Sequence, residues 1–330
     1  MCAGLRSLVS VPSLRARLAA LRTAPIGPRT YRVITATALV ALVAIVVSGA
    51  AVRLTGSGLG CPTWPSCEDG SLVPRGATGV HGWVEFVNRT FTGAVSVAVA
   101  LAVLGSRRLQ QRRRDLTLLS WGLVAGVFAQ ALLGGLVVLV DVAPIAVAGH
   151  YLLSAVLVAN AVVLHHRAAL PKDGRRPAAT PSVLRLSNVL VAACATVLVT
   201  GTLVTGSGPH GGDEAAERLP FAVRSVVPFH GAAAWALLVV AMVLLYRADR
   251  GDVAPAVLGR GRLLIAAIGL QGTIGYVQYF TDVPEGLVGI HVLGSALVWV
   301  AVLRLHLALH EGVPTPLQGA ARPDPVAAVG

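Results

Sequence analysis

The stretch QALLGGLVVLVDVAPIAVAGHYLLSA, residues 130–155, returns later in the chain as QGTIGYVQYFTDVPEGLVGIHVLGSA, residues 271–296. At a constant offset of 141, Gln130 matches Gln271, Gly134 matches Gly275, Asp141 matches Asp282, His150 matches His291 and Ser154 matches Ser295. Thr55-Gly56-Ser57-Gly58 and Thr205-Gly206-Ser207-Gly208 form a second, earlier match. Polar residues that recur at one spacing in an apolar background are hard to attribute to composition. Self-similarity of this kind is the signature of a duplicated architecture.

The unit of duplication is a set of membrane spans. Apolar runs of about 20 residues, enough to cross a bilayer core, occur at 33–53, 84–105, 117–140, 145–165, 183–205, 222–246, 263–281 and 286–309. The second is interrupted by Glu85 and Arg89, so its assignment rests on 91–105. Composition agrees: the 330 residues are 55% hydrophobic and 13% charged, about half the charge of a soluble domain. That excludes disorder, collagen and a small disulfide scaffold. It also argues against a soluble globular enzyme, whose surface so few charges could not cover. Four spans per repeat, an even number, give both halves one orientation and relate them by a pseudo-twofold axis along the membrane normal. The predicted fold is therefore an all-α integral membrane protein, with eight transmembrane helices arranged as two pseudo-symmetric four-helix bundles. Its predicted parts are a basic flank at 1–32, a first bundle at 33–166, a linker at 167–182, a second bundle at 183–309 and a disordered Pro- and Ala-rich tail at 310–330.

The net charge of +12 is a topology signal, not a nucleic-acid footprint. Most of the 27 Lys and Arg cluster before the first span (Arg6, Arg15, Arg17, Arg22, Arg29, Arg32) and after the second, fourth and sixth, as in Arg107, Arg108, Lys172, Arg175, Arg247 and Arg250. The opposite loops carry few: Arg53 and Arg75 in the first, Arg218 and Arg224 in the third. The positive-inside rule then predicts that both termini, the linker and the tail are cytoplasmic. The first 32 residues also have the Arg- and Ser-containing, acid-free character of a mitochondrial transit peptide. We read them as a flank that fixes topology, with no signal-peptide cleavage pattern before the first span.

Ionisable residues inside spans are costly and point to function. Spans two, four, six and eight carry Asn88, His150, His230 and His291 near their outer ends, with Asn88 and His230 corresponding at an offset of 142. A lone buried histidine is usually only hydrogen-bonded. Three at symmetry-related depths instead suggest axial ligands to haem iron, built from facing helices of a bundle. His230 with His291 would ligate one haem, and His150 would ligate another beside Asn88. Zinc fits less well, since no Cys or carboxylate repeats beside them. Glu85 and Arg89 flank Asn88 only in the first half, where the second has Val227 and Gly231. At i,i+4 they suit a structural ion pair; alternatively, Glu85 is a carboxylate able to move protons or stabilise a cation beside a cofactor. Cys61 and Cys67, in CPTWPSC of the first outer loop, are either a disulfide or a free redox pair.

Together these residues resemble the haem A synthase family. The likeness lies in TGSGLGC-x-x-WP-x-C (Thr55 to Cys67), in Glu-x-x-(His/Asn)-Arg (Glu85 to Arg89), in QALLGGLVVL ahead of His150 and in the mirrored second half, over about residues 32–309. The resemblance implies a bacterial cell-membrane oxidoreductase that converts the C8 methyl of haem O to a formyl group by successive hydroxylations, giving haem A for cytochrome oxidase. It assigns substrate haem to the first bundle, with His150 as ligand and Glu85 as catalytic acid. Haem b goes to the second bundle on His230 and His291, and Cys61–Cys67 is a disulfide. It further implies an electron donor, the membrane enzyme that makes haem O as a partner, the lipid bilayer as environment, a homo-oligomer as assembly and no nucleic acid. The family pattern has a histidine where this chain has Asn88, and the loop at 207–221 lacks a cysteine pair that some members carry. A b-type cytochrome that only relays electrons is the alternative. A transporter is disfavoured, because no span pair is broken by Gly or Pro around midplane charges.

Overall fold

The computed structural model describes residues 25–68, 70–76, 79–214, 216–251 and 253–313. Eight α-helices dominate them: α1 Pro28–Leu54, α2 Gly79–Arg107, α3 Arg114–Leu139, α4 Pro144–Ala168, α5 Pro181–Ser207, α6 Val223–Asp249, α7 Pro255–Phe280 and α8 Glu285–Glu311. All eight are long and apolar enough to cross a membrane, and the protein is a multi-pass membrane protein. In hydrocarbon a backbone must satisfy its own N–H and C=O groups, which a continuous helix does. Large side chains accordingly face outward; Phe280 is 76% exposed and Phe128 is 66% exposed. Proline opens α1, α4, α5 and α7, at the position where a missing N–H costs nothing.

The helices overrun the sequence-based bounds by a few residues. α1 takes in the end of the 1–32 flank, α2 runs unbroken through Glu85 and Arg89, and α8 reaches Glu311, past the expected boundary at 309. Helices in a bilayer extend through the interface, where polar side chains reach headgroups and water, so the apolar run is shorter than the helix. The rest of the 1–32 flank and of the 310–330 tail, residues 1–24 and 314–330, lies outside the described residues.

Packing follows the repeat. In one half α1 packs on α2, α2 on α3, α3 on α4 and α4 back on α1; in the other, α5 to α8 close the same ring. The halves meet through α1, α4, α5 and α8, with α1 on α8, α4 on α5 and α4 on α8. Tyr151 Oη pairs with Ser295 Oγ at 3.0 Å across this junction, Trp299 Nε1 donates to the Ala155 carbonyl at 2.9 Å, and Arg167 forms an ion pair with Glu311 at 2.5 Å. The 141-residue offset also relates His165 to His306. Their Nδ1 atoms pair with Thr35 Oγ1 at 3.0 Å and Ser187 Oγ at 3.2 Å, so each stitches the last helix of its bundle to the first.

The duplicated Asp-Val dipeptide ends α3 and α7 in the same way. Asp141, Val142, Asp282 and Val283 have φ of 50°, 52°, 59° and 57°. This left-handed pair turns the chain so that Val142 N–H reaches the Val137 carbonyl and Val283 N–H the Gln278 carbonyl, each at 2.8 Å. It is the six-to-one closure of a helix C-terminus. Aspartate adopts this conformation at little cost, whereas a β-branched residue, such as the valine that follows it, adopts it only with strain. Asp282→Ile should therefore lower stability by about 1–2 kcal/mol while Asp282→Gly does not, as read by thermal unfolding in detergent.

Candidate functional site

Three imidazoles lie in the interior of the bundles, each seated against a glycine of a neighbouring helix. A Cβ on Gly134 of α3 would stand 3.2 Å from His150 Cε1, one on Gly201 of α5 would stand 3.2 Å from His230 Cε1, and one on Gly275 of α7 would stand 3.2 Å from His291 Cε1. The repeated Gly134 and Gly275 are thus room for a ring, the small-residue packing by which membrane helices approach closely. The repeated glutamines fix the helices that carry two of the rings. Gln130 Nε2 donates to the His150 carbonyl at 3.0 Å and to Ser154 Oγ at 2.6 Å, and Gln271 Nε2 donates to the His291 carbonyl at 2.7 Å.

The second half brings two of these rings near each other. His230 on α6 and His291 on α8 have ring centres 6.3 Å apart and planes at 68°. Two imidazoles bonded to one metal at about 2 Å each hold their centres roughly 6 Å apart. The spacing therefore suits a metal between them and is too wide for a direct hydrogen bond. His230 Nδ1 pairs with Thr200 Oγ1 at 3.2 Å. The buried Nδ1 atoms of His150 and His291 have no hydrogen-bond partner. Among the described residues no three His, Cys, Asp or Glu side chains gather as a metal cluster, so each half offers at most two imidazoles and no zinc-type set.

In the first half, α2 carries Asn88 where α6 carries His230. Asn88 Oδ1 accepts a hydrogen bond from Ser48 Oγ on α1 at 2.8 Å, as His230 pairs with Thr200 on α5. Asparagine Oδ1 and histidine Nδ1 occupy the same place relative to the side-chain stem. Asn88 therefore keeps the hydrogen bond to the neighbouring helix and lacks the far ring nitrogen that would face a ligand. His81, two turns earlier on α2, is tied to Ser57 Oγ through Nδ1 at 2.9 Å.

Glu85 is 5% exposed and has both oxygens engaged. Oε2 accepts the Cys61 N–H at 2.7 Å, and Oε1 accepts Arg89 Nε at 3.0 Å and Nη2 at 2.5 Å. Arg89 also donates to the carbonyls of Cys61, Thr63 and Ser66. Both readings of the Glu85–Arg89 pair thus meet an ion pair, and its further partners are the backbone of the 61–67 loop. Cys61 and Cys67 form a disulfide, the first of the two alternatives for this pair. The loop ends on Trp64, whose indole rests on α3: a Cβ on Gly135 would stand 2.6 Å from Trp64 Cδ2. Ser48, Thr200, Gly201 and Trp64 were not expected as site residues. Gly201 and Thr200 escape the 141-residue register because the first loop is longer than the third, which moves the α1–α5 match to another offset.

The sequence profile of the cytochrome oxidase assembly protein family, COX15-CtaA, matches residues 32–210. The chain belongs to this family. The matched segment runs from α1 to the loop after α5 and contains the disulfide, Glu85, Asn88 and His150; His230 and His291 lie beyond it. Relatives include the haem A synthases of Lysinibacillus sphaericus (strain C3-41), 34% identical over 128 residues, and of Alkalihalophilus pseudofirmus (strain ATCC BAA-2126 / JCM 17055 / OF4), 29% identical over 158 residues. These matches cover 38% and 48% of this chain, and 41% and 51% of the relatives. The chain thus spans about half the length, or less, of the relatives it matches. In this chain the Glu85–Arg89 pair is the anchor of the disulfide loop. Arg89→Met leaves a carboxylate with no counter-charge in a low-dielectric place and should cost about 3 kcal/mol. Glu85→Gln, which keeps an acceptor for Cys61, should cost less. Thermal unfolding in detergent, with proteolysis of the 61–76 segment as a local readout, checks both.

Proposed function

We propose that the protein is a haem A synthase, an oxidoreductase that takes the C8 methyl of haem O to a formyl group. The observation that carries the reading is the inequality of two related sites: a pair of imidazoles 6.3 Å apart in the second half, and in the first one imidazole, His150, with asparagine at the position that matches His230. A site of two imidazoles saturates an iron and suits electron transfer. A site of one imidazole leaves a coordination position without a protein ligand, where oxygen chemistry on a bound porphyrin has room.

In this reading the second bundle holds a resident haem b on His230 and His291, which supplies one-electron transfer when bound. The glycine seats and the ring spacing fit such a group. The first bundle takes haem O as substrate on His150, and haem A leaves it as product. Gly134 and Gln130 hold His150 in place, and Ser48 holds Asn88 aside. Glu85, one turn from Asn88 on α2, is the carboxylate closest in sequence to that site. Arg89 and the Cys61 N–H engage its two oxygens, and in this reading the carboxylate moves a proton or stabilises positive charge that develops on the substrate. Its absence from the second half, where Val227 stands, separates the reactive site from the relay.

The charge distribution supports an orientation in which both termini are cytoplasmic and the disulfide loop faces the oxidising side of a bacterial cell membrane. The membrane enzyme that makes haem O, and an electron donor, are the partners this reaction requires. In membranes that carry the wild-type protein we expect haem b absorbance and haem A on extraction. Glu85→Ala should keep the haem b signal and abolish haem A formation; surviving activity would make Glu85 an anchor of the loop only. Bound haem b without haem O or haem A, and unaltered haem A content in a deletion strain, would instead favour a b-type electron relay. His291→Ala should remove the haem b signal, and an unchanged spectrum would refute the assignment of the second site.

A further inference from the structure

The two bundles differ at one more pair of related positions. Trp235 on α6 and Tyr276 on α7 face each other across the seam between those helices, and Trp235 Nε1 donates to Tyr276 Oη at 3.1 Å. At offsets of 142 and 141, the first half has Gly93 on α2 and Gly135 on α3. Nothing lies within 4 Å of a Cβ placed on Gly93. The α6–α7 seam is thus latched by its own helices, whereas the α2–α3 seam has glycine at both of these positions.

A loop covers the gap. The 61–67 segment is clamped to α2 through Arg89 and reaches α3 through Trp64, whose indole lies on Gly135. It therefore straddles the α2–α3 seam. Gly134, the neighbour of Gly135, is the seat of His150, so the Trp64 contact on α3 lies one residue from the single-imidazole site. The corresponding loop of the second half goes elsewhere: Gly58 N–H bonds the Gly212 carbonyl at 2.8 Å, His210 Nε2 pairs with the Val283 carbonyl at 2.7 Å, and Arg53 Nη1 donates to the His210 carbonyl. That loop caps the junction of the halves and leaves the α6–α7 seam to its latch.

We propose that the α2–α3 seam is a lateral passage by which an amphipathic porphyrin moves between the lipid and the His150 site, and that Trp64 is its gate. The inference rests on the substrate reading of the first bundle and extends it. A substrate must exchange with each turnover and a resident group must not. A lipid-soluble planar ring has a short path to a bundle interior through a helix seam that carries glycine where the other half carries Trp235 and Tyr276. The moving part is the Trp64 side chain, which packs on α3, while Arg89 holds the backbone on either side of it through Thr63 and Ser66.

The test uses the full-length protein in lipid nanodiscs and iron protoporphyrin IX supplied in phosphatidylcholine vesicles, with uptake and release followed by absorbance. His150→Ala identifies the signal that belongs to the first site. Trp64→Ala should speed both uptake and release at that site about tenfold, as for a barrier lowered by one decade in rate. Adding Gly93→Trp and Gly135→Tyr to Trp64→Ala installs the latch of the second half and should return the slow rates. This arm separates gating from simple loosening of the loop, which no latch would reverse. Equal rates in wild type and Trp64→Ala, with His150-dependent binding intact, would overturn the passage and leave the substrate reading standing. A wild-type protein that takes up no porphyrin at the His150 site would overturn both.

Discussion

The structure depends on the contact between a histidine ring and a glycine on the next helix. An imidazole inside a bundle of Leu, Val and Ala side chains is tolerated only where a neighbouring backbone gives it space and its polar atoms find use. Gly134, Gly201 and Gly275 supply that space at the same distance from Cε1 in three places. Once the rings are seated, the rest follows from need. The glutamines tie down the helices that carry His150 and His291, hydroxyls of α1 and α5 hold the side chains on α2 and α6, and the far ring nitrogens are left for a ligand. An alanine at any of the three glycines would force its ring to shift by a few tenths of an ångström.

Duplication gave two such sites, and a few substitutions made them unequal. Asn88 keeps the hydrogen bond of a histidine and gives up its outer nitrogen. Glu85 and Arg89 introduce a buried ion pair in one half only, and Gly93 and Gly135 stand where Trp235 and Tyr276 close the other seam. Each change falls in the first bundle or on its loop. The second bundle has paired rings and a latched wall; the first has a single ring and a seam covered by a loop.

Much of this was legible in the sequence. Span number, the repeat and the depth of Asn88, His150, His230 and His291 follow from hydropathy and one constant offset, because a membrane restricts both the fold and the places where polarity survives. The i,i+4 spacing of Glu85 and Arg89 already required them to meet. What spacing alone could not decide was the third partner of that pair, the backbone of the 61–67 loop, since loop paths are not periodic. Gly134 and Gly275 were visible as identities, but that their function is room for a ring is a property of two helices together. The match of His165 to His306 lay in the same register, and their hydroxyl partners on α1 and α5 lay outside it.

Electron paramagnetic resonance of the oxidised protein with a porphyrin iron in each half tests the account most directly. Two imidazoles enforce a low-spin ferric iron, and one imidazole with no second protein ligand leaves it high-spin. The expected spectrum has one low-spin signal, lost in His230→Ala, and one high-spin signal, lost in His150→Ala. Two low-spin signals would show that the first site finds a second strong ligand. They would contradict the claim that Asn88 leaves it open.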